Sequence, residues 1–172
     1  MKLEMKLNGQ DVSLDIAGPE LLLDLLRDNG YFGSKRGCEN GDCGACTVLV
    51  DGKAVCSCMY FAGQAHGREV TTIEGLGTME HPHPLQETFV ECGAVQCGFC
   101  IPGMLMSAKE LLDECPNPKD PEIREALDGN LCRCTGYTKQ FEAVKLTAKR
   151  MAEGTGKGRD SGRKSARGGK SR

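Results

Sequence analysis

The chain has 172 residues, eleven of them cysteine, a formal net charge of −2 and no tryptophan. This length allows one large domain or two small ones. The apolar stretches are only a few residues long, which excludes a predicted transmembrane helix. The first ten residues, MKLEMKLNGQ, lack the apolar core of a secretory signal peptide. We therefore expect a cytoplasmic protein, in which closely spaced cysteines bind metal more often than they form disulfides.

Charge is distributed unevenly along the chain. Residues 153–172 contain seven Lys/Arg and two acidic residues, whereas residues 1–152 contain 15 Lys/Arg and 22 Asp/Glu. The terminal segment is rich in Gly, Ser, Lys and Arg and has no large apolar residue, so it is predicted to be a disordered basic tail. Such a tail could contact nucleic-acid phosphates, but a solvated appendage that touches a protein partner is the favoured interpretation.

The amino-terminal half predicts two β-hairpins and one further strand. Apolar and polar residues alternate on both sides of Asn8-Gly9, a dipeptide typical of a two-residue type I′ turn. Asp51-Gly52 provides the turn of the second hairpin. The predicted strands cover residues 2–7 and 12–16, residues 47–50 and 54–55, and residues 69–73.

One helix is predicted between the two hairpins. Pro19 can occupy its first turn, and Asn29-Gly30 ends it. Strands packed over one helix, with a cysteine loop between them, indicate an α+β module of the ferredoxin type. The leucines that would face the sheet are Leu21, Leu22, Leu25 and Leu26.

The carboxy-terminal half changes to a helical period. Apolar residues recur three, four and seven positions apart in four segments, and Pro116 and Pro118 separate the second segment from the third. Asp120-Pro121 is predicted to cap the third helix and Gly129 to end it. Four helices predict a small bundle. Their apolar residues are Leu85 and Phe89; Met104, Leu105, Ala108, Leu111, Leu112 and Cys115; Ile123, Ala126 and Leu127; and Tyr137, Phe141, Val144, Ala148 and Met151.

The first group of four cysteines has the spacing C-x4-C-x2-C followed by a later cysteine. Plant-type ferredoxins hold a 2Fe–2S cluster in this way, with three thiolates from one loop and the fourth from a later segment. Structural zinc also takes four thiolates, but its sites usually consist of two short pairs. This group therefore favours iron and one-electron transfer. Its members are Cys38, Cys43, Cys46 and Cys58.

The second group consists of two short pairs, Cys97-x2-Cys100 and Cys132-x-Cys134. The first pair directly precedes the second predicted helix, and the other pair lies between the last two helices. Two such loops can converge on one metal centre. This spacing suits zinc as well as an iron–sulfur cluster, and iron is favoured here less strongly than in the first group.

Glycines in the loop GCENGDCGAC permit positive φ and close backbone approach, so that amide N–H groups can point at the sulfurs. Cys56 lies two residues before Cys58 and competes with it as fourth ligand, although Cys58 is favoured. The three histidines form no metal-binding pair. The sequence has no evident nucleophile–base pair or phosphate loop, so the chain alone is predicted to lack a substrate-converting site.

Four segments, in chain order, resemble the iron–sulfur subunit of the molybdenum hydroxylases, the family of xanthine dehydrogenase and carbon monoxide dehydrogenase. They are GCENGDCGACTVLVDGKAV with the following SC, TIEGL, GAVQCGFCIPGM and GNLCRCTGY. The match covers about residues 2–152. The resemblance implies an α+β fold, with a ferredoxin-like β-grasp domain over residues 1–77 and an all-α four-helix 2Fe–2S domain over residues 78–152.

The resemblance also implies cofactors and partners. Two 2Fe–2S clusters belong to this chain, molybdopterin with molybdenum to a large partner subunit, and FAD to a medium partner subunit; nucleic acid is not expected as a partner. The implied cluster nearer molybdenum is held by Cys97, Cys100, Cys132 and Cys134, the one nearer flavin is held by Cys38, Cys43, Cys46 and Cys58, and Gln96 hydrogen-bonds the pterin.

The function implied is an electron relay from molybdenum through the two clusters to FAD or another acceptor, with a purine or other N-heterocycle as substrate of the complex. The alternatives are a carbon monoxide or aldehyde dehydrogenase subunit, a free-standing ferredoxin-like carrier, and a cluster-bearing sensor with its tail on nucleic acid. Ile101, Phe141 and Cys56 depart from the commonest family pattern, but none of them removes a ligand.

Overall fold

In the computed structural model, which describes residues 1–157 and side chains up to residue 154, the amino-terminal half builds a mixed five-stranded sheet. Its strands are β1 (Lys2–Leu7), β2 (Gln10–Asp15), β3 (Thr47–Val50), β4 (Lys53–Cys56) and β5 (Glu69–Thr71). They lie in the order β2-β1-β5-β3-β4. β1 pairs antiparallel with β2 and parallel with β5, whereas β3 pairs antiparallel with both β4 and β5.

Both predicted hairpins are confirmed, and the backbone of their turns shows why they form. Asn8 and Gly9 have φ of 51° and 80°, and Asp51 and Gly52 have φ of 50° and 80°. Positive φ at both central residues is the property of a type I′ turn, whose twist matches that of the flanking strands. Along β1, exposed and buried residues alternate, as the strand period of two requires.

The fifth strand is shorter than the predicted 69–73, because it ends at Thr71. The Asn8 side chain accepts a hydrogen bond from the Thr72 N–H at 2.8 Å, which diverts that amide from the sheet. Ile73 then begins a one-turn helix, α2 (Ile73–Leu76). A contact between residues 64 positions apart in the sequence therefore sets the strand end, and no local pattern indicates it.

The predicted leucine helix is confirmed as α1 (Leu22–Asp28), but it begins later than expected. Leu21 is extended and forms an isolated β-bridge with Phe61, so Pro19 lies outside the first turn. The helix ends at the predicted place, where the Asn29 side chain donates to the Leu25 carbonyl at 2.8 Å. Leu22, Leu25 and Leu26 pack into a core with the inner face of the sheet.

Four longer helices follow α2 in the described part of the chain: α3 (Pro84–Glu91), α4 (Ile101–Glu114), α5 (Asp120–Asp128) and α6 (Thr138–Lys157). α3 packs on α6, and α4 packs on α5. A second apolar core lies between these helices, with Phe89, Met104, Ile123 and Leu127 almost fully buried. The predicted change from strands to helices is therefore confirmed.

Two boundaries in this half differ from those predicted. The cap of α5 is Lys119, whose N–H donates to the Glu122 carboxylate at 2.6 Å, so Asp120 is already helical. α6 continues to Lys157 and includes the first five residues of the predicted tail. The rest of that predicted tail, residues 158–172, lies outside the described residues.

The two halves of the molecule share an interface. α4 packs against β3 and β4, and all four residues of β3 are buried. A strand covered on both faces is expected to be continuously apolar rather than alternating, which the sequence TVLV satisfies apart from Thr47. At the edge of this interface, Lys53 forms ion pairs with Glu110 and Glu114 of α4. No helix within the described residues is long and apolar enough to span a bilayer.

Candidate metal centres

The first cysteine loop connects α1 to β3 and winds tightly around its own sulfurs. Glu39, Gly41 and Gly44 have φ of 60°, 88° and 65°, which turn the backbone repeatedly. The Cys43 N–H donates to the Cys38 sulfur at 3.3 Å. Hydrogen bonds from the backbone N–H groups of Asn40 and Cys43 lower the pKa of Cys38 to about 7. The backbone of the loop thus favours the thiolate form of Cys38.

Gly37 serves this loop in a different way from the other glycines. Its φ is not positive, but a Cβ at this position would lie 2.7 Å from the Cys43 sulfur. No ordinary contact is that short, so any side chain larger than hydrogen would displace the sulfur or the backbone. The loop glycines were predicted to permit positive φ and close backbone approach. Gly37 permits the close approach of the backbone to a cysteine sulfur, and Gly41 and Gly44 adopt positive φ.

The remaining thiols of the first group lie beneath this loop, next to Leu23. Cys46 and Cys58 are both buried, and the half-buried Cys56 packs against them. A hydrogen bond from the Cys56 thiol lowers the pKa of Cys46 to about 5, and a further one comes from Cys58. Burial raises the pKa of Cys58 to about 11. The structure therefore brings together all four predicted residues and also the competitor Cys56.

The backbone of Gly41 distinguishes Cys56 from Cys58. The Cys56 sulfur lies 3.6 Å from the Gly41 carbonyl oxygen, so its single thiol proton has this oxygen and the Cys46 sulfur as acceptors. The N–H of the same glycine hydrogen-bonds the Cys58 sulfur and lowers the pKa of that thiol, although burial outweighs this effect. A carbonyl contact requires a protonated sulfur, whereas an amide contact favours a thiolate.

The second group of cysteines forms two pairs, each with one member from each loop. Cys97 and Cys134 are exposed, and their sulfurs are 3.7 Å apart. Cys100 is buried at the amino end of α4, and its sulfur contacts that of Cys132. Burial, followed by this contact, raises the pKa of Cys100 to about 12. The predicted convergence of the two loops is thus present in the structure.

Thr135 and Tyr137 hold the Cys132 loop in place, a role that the sequence analysis missed. The Thr135 hydroxyl lies 3.1 Å from the Cys132 sulfur, and the Tyr137 hydroxyl accepts the Cys132 N–H at 2.7 Å. Burial raises the pKa of Cys132, but hydrogen bonds from Thr135, the Cys134 backbone and Cys100 together outweigh it and bring the value to about 7. The motif CRCTGY carries both hydroxyls, which was the available signal.

The donor set fits two-iron clusters. In the first loop Cys38 contacts Cys43, and below it Cys46 contacts Cys58, with Cys56 as a further neighbour of Cys46. With the two pairs of the second group, this makes four pairs of soft thiol ligands, and a 2Fe–2S cluster needs two thiolates on each iron. Among the described residues, no three histidine, cysteine or acidic side chains are arranged for a single metal ion.

Gln96 and the histidines lie outside these pairs. Gln96 is exposed beside the exposed Cys97. His66 accepts a hydrogen bond from the Glu4 N–H at 3.2 Å, and His83 accepts one from the Leu85 N–H at the start of α3. These two histidines thus have structural partners in the backbone.

Family models match both halves of the chain. A 2Fe-2S iron-sulfur cluster binding domain matches residues 5–77, and a second 2Fe-2S binding domain matches residues 72–145. Together with the paired thiols, these matches define the class: the chain is a protein with two 2Fe–2S centres.

Individual proteins similar to this chain identify its family within this class. The chain is 47% identical to the nicotinate dehydrogenase small FeS subunit of Eubacterium barkeri, over 87% of this chain and 96% of that protein. It is 45% identical to the xanthine dehydrogenase iron-sulfur-binding subunit of Escherichia coli O157:H7, over 78% and 86%. Quinoline 2-oxidoreductase from Pseudomonas putida 86 matches its fold with a TM-score of 0.85 and 41% identity, over 90% of this chain and 97% of that one. Aldehyde oxidoreductase from Desulfovibrio gigas matches with a TM-score of 0.87 and 40% identity, and the match covers 90% of this chain and 17% of the larger protein.

The chain belongs to the iron–sulfur subunits of the molybdenum hydroxylase family, which includes xanthine dehydrogenase. It is an electron-transfer subunit of an oxidoreductase, and in related complexes molybdenum and FAD lie on partner subunits. The resemblance stated for the sequence motifs is confirmed.

Proposed function

We propose that the two cysteine groups bind the two clusters in separate domains, with the boundary between residues 77 and 78. The first would be a β-grasp domain and the second a four-helix domain. When bound, each 2Fe–2S cluster supplies one-electron oxidation and reduction. The observation that carries the proposal is the pairing of thiols within each group, because two thiolates per iron is what such a cluster requires. The proposed ligands are Cys38, Cys43, Cys46 and Cys58, and Cys97, Cys100, Cys132 and Cys134.

Cys58 is the proposed fourth ligand of the first cluster, and Cys56 is not. Support comes from the Gly41 backbone, which offers its N–H to Cys58 and its carbonyl to Cys56. Amide N–H groups that point at ligand sulfurs stabilise the thiolate form and tune a cluster. Cys56, whose proton has the Gly41 carbonyl and the Cys46 sulfur as acceptors, keeps that proton and would act as a neighbour of the cluster.

The helical domain is proposed to face the large molybdopterin subunit. Its exposed cysteines, Cys97 and Cys134, lie within three residues in the sequence of exposed large apolar side chains, which a solvated carrier would not need. Phe99 is 48% exposed and Leu131 is 56% exposed. Exposed apolar residues around a redox site support docking to a partner over a free-standing ferredoxin-like carrier. Gln96 directly precedes Cys97, is exposed, and offers both a donor and an acceptor for a pterin edge.

The sheet domain is then proposed to serve a medium FAD-binding subunit. We further propose that the complex oxidises an aromatic N-heterocycle, because related proteins include a nicotinate dehydrogenase, a nicotine 6-hydroxylase and a quinoline 2-oxidoreductase. A related aldehyde oxidoreductase supplies the competing class of substrate. A cytoplasmic location and the absence of a nucleic-acid partner stay predictions of the sequence.

Metal analysis of the purified native complex tests the proposed ligands. About four iron and four acid-labile sulfides per chain are expected, with two distinct EPR signals on reduction. Cys134→Ser should remove one signal and Cys38→Ser the other. Zinc without labile sulfide would contradict the proposal, and elution without molybdenum and flavin would favour a free-standing carrier.

Gln96→Ala tests the orientation of the subunit in the complex. Reduction of the clusters by substrate should slow, or molybdopterin should be lost, while reduction from the flavin side should be little changed. Gln10→Ala, an exposed glutamine on the first hairpin, is the matched control. Equal losses from both directions would contradict the placement of the helical domain beside the molybdopterin subunit.

The substrate class can be tested with the same complex. Stopped-flow bleaching of the clusters should follow addition of nicotinate, quinoline or xanthine more readily than addition of benzaldehyde. Faster bleaching by the aldehyde would assign the subunit to an aldehyde-oxidising complex.

A further inference from the structure

The two cysteine loops touch each other at a buried polar junction. The side-chain amide of Asn130, which follows α5, donates to the Gly44 carbonyl at 3.0 Å and lies 3.4 Å from the Thr47 hydroxyl. One residue further on, the Leu131 N–H donates to the Cys43 carbonyl at 2.9 Å. Asn130 is only 2% exposed. These bonds join residues more than eighty positions apart in the sequence.

The backbones at this junction are too close for side chains. A Cβ on Gly44 would lie 2.2 Å from the Gly129 carbonyl oxygen, and a Cβ on Gly103 would lie 2.1 Å from the Gly44 carbonyl oxygen. Both distances are well inside van der Waals contact, so neither position tolerates a larger residue without movement. Gly44 is therefore clamped between the start of α4 and the loop after α5.

Each contact of the junction lies within three residues of a proposed ligand. Gly44 directly follows Cys43, and Gly103 is three residues after Cys100. Leu131 directly precedes Cys132. A shift of the junction would therefore move ligands of both clusters relative to each other, although it touches no sulfur.

We propose that Asn130 is a positioning residue that locks the two cysteine loops together and so sets the separation of the two iron–sulfur sites. This inference rests on the ligand sets proposed above. The Gly44 carbonyl accepts from the Thr47 N–H at 3.1 Å and the Thr47 hydroxyl at 2.7 Å. The Asn130 amide is the third donor to this carbonyl and belongs to the other half of the molecule.

The chemistry of the junction requires an amide at this position. An aspartate has almost the same shape but, when ionised, only accepts hydrogen bonds, so it would face the Gly44 carbonyl oxygen with like partial charge. Leaving buried polar groups unpaired is costly, and the loops would separate to admit water. The rate of electron exchange between two centres falls steeply with their separation. The junction would therefore affect the rate of electron transfer between the two iron–sulfur sites.

Asn130→Asp in the cluster-loaded complex is the test, with Thr147→Val as control. The control also removes buried hydrogen bonds with little change of shape, the 2.6 Å bond between Thr88 and Thr147 and the 2.9 Å bond from Thr147 to the Ala143 carbonyl, but both lie wholly within the helical half. The readout is the magnetic interaction between the two reduced clusters in EPR, which weakens with the cube of their separation. Amide hydrogen exchange of a peptide over residues 129–135 is measured in parallel.

Asn130→Asp should weaken the magnetic interaction at unchanged iron content and speed exchange of the peptide roughly tenfold, the effect of about one lost hydrogen bond. Thr147→Val should retain the wild-type interaction. If Asn130→Asp fails to fold, Thr47→Val replaces it as the test, because it removes another hydrogen bond to the Gly44 carbonyl. Thr47→Val should then weaken the magnetic interaction relative to the wild type. An interaction equal to that of wild type in a loaded variant, or no interaction in the wild type, would overturn this inference. Absence of iron from the wild type would instead contradict the proposed function.

Discussion

Gly44→Ala should destabilise the protein much more than Gly52→Ala, although both residues have positive φ. Gly44 has φ of 65° and Gly52 has φ of 80°. An alanine in this left-handed conformation costs about 1–2 kcal/mol at either position. At Gly52 a Cβ meets nothing within 4 Å, so the cost ends there.

At Gly44 the new methyl group adds a second cost. It would lie 2.2 Å from the Gly129 carbonyl oxygen, so the loop after α5 has to retreat by about 1 Å to reach ordinary contact. That movement breaks the bonds of Asn130 to Gly44 and of Leu131 to Cys43. Each buried group left unpaired costs about 1–3 kcal/mol. The total for Gly44→Ala is therefore about 3–8 kcal/mol.

Thermal unfolding of the cluster-loaded proteins at one heating rate measures the difference. For a protein of this size, 1 kcal/mol shifts the midpoint by about 2–4 °C. Gly52→Ala should lower the midpoint by roughly 2–8 °C, and Gly44→Ala should lower it about three to four times as far, by roughly 6 °C or more. Equal shifts for the two variants would refute the junction as a source of stability, because only backbone strain would then distinguish alanine from glycine.

Three further results are expected from the same material. Cys58→Ser should bleach the amino-terminal cluster while Cys56→Ser leaves its absorption and EPR signal nearly unchanged, and the opposite pattern would move the ligand to Cys56. Gly37→Ala should halve the iron content, because its Cβ would lie 2.7 Å from the Cys43 sulfur; a full complement of iron in this variant would contradict the close approach. Removal of both clusters by chelator and reductant should lower the unfolding midpoint, since cluster binding contributes to folding; an unchanged midpoint would show that the two cores are stable alone.

Local patterns predicted much of this fold. The type I′ turns at Asn8-Gly9 and Asp51-Gly52 follow from residues that adopt positive φ at little cost, and the helices follow from apolar residues at a helical period. A local contact, from Lys119 to Glu122, moved the cap of α5, but at two other boundaries that were wrong a distant contact was responsible. Asn8 ends β5 by taking the Thr72 N–H, and Phe61 delays α1 by pairing with Leu21.

The sequence alone determined the number and class of the metal centres, because the C-x4-C-x2-C spacing indicates iron in the first group and the family motifs around C-x2-C and C-x-C indicate it in the second. Only the tertiary structure decided which sulfurs pair across two loops and how Gly41 separates Cys58 from Cys56. It also decided that Gly44, Gly103 and Asn130 meet. A glycine at a close backbone contact has no side chain, so no sequence pattern can indicate which residue it contacts. Contacts between residues 86 positions apart form only when both cores have packed.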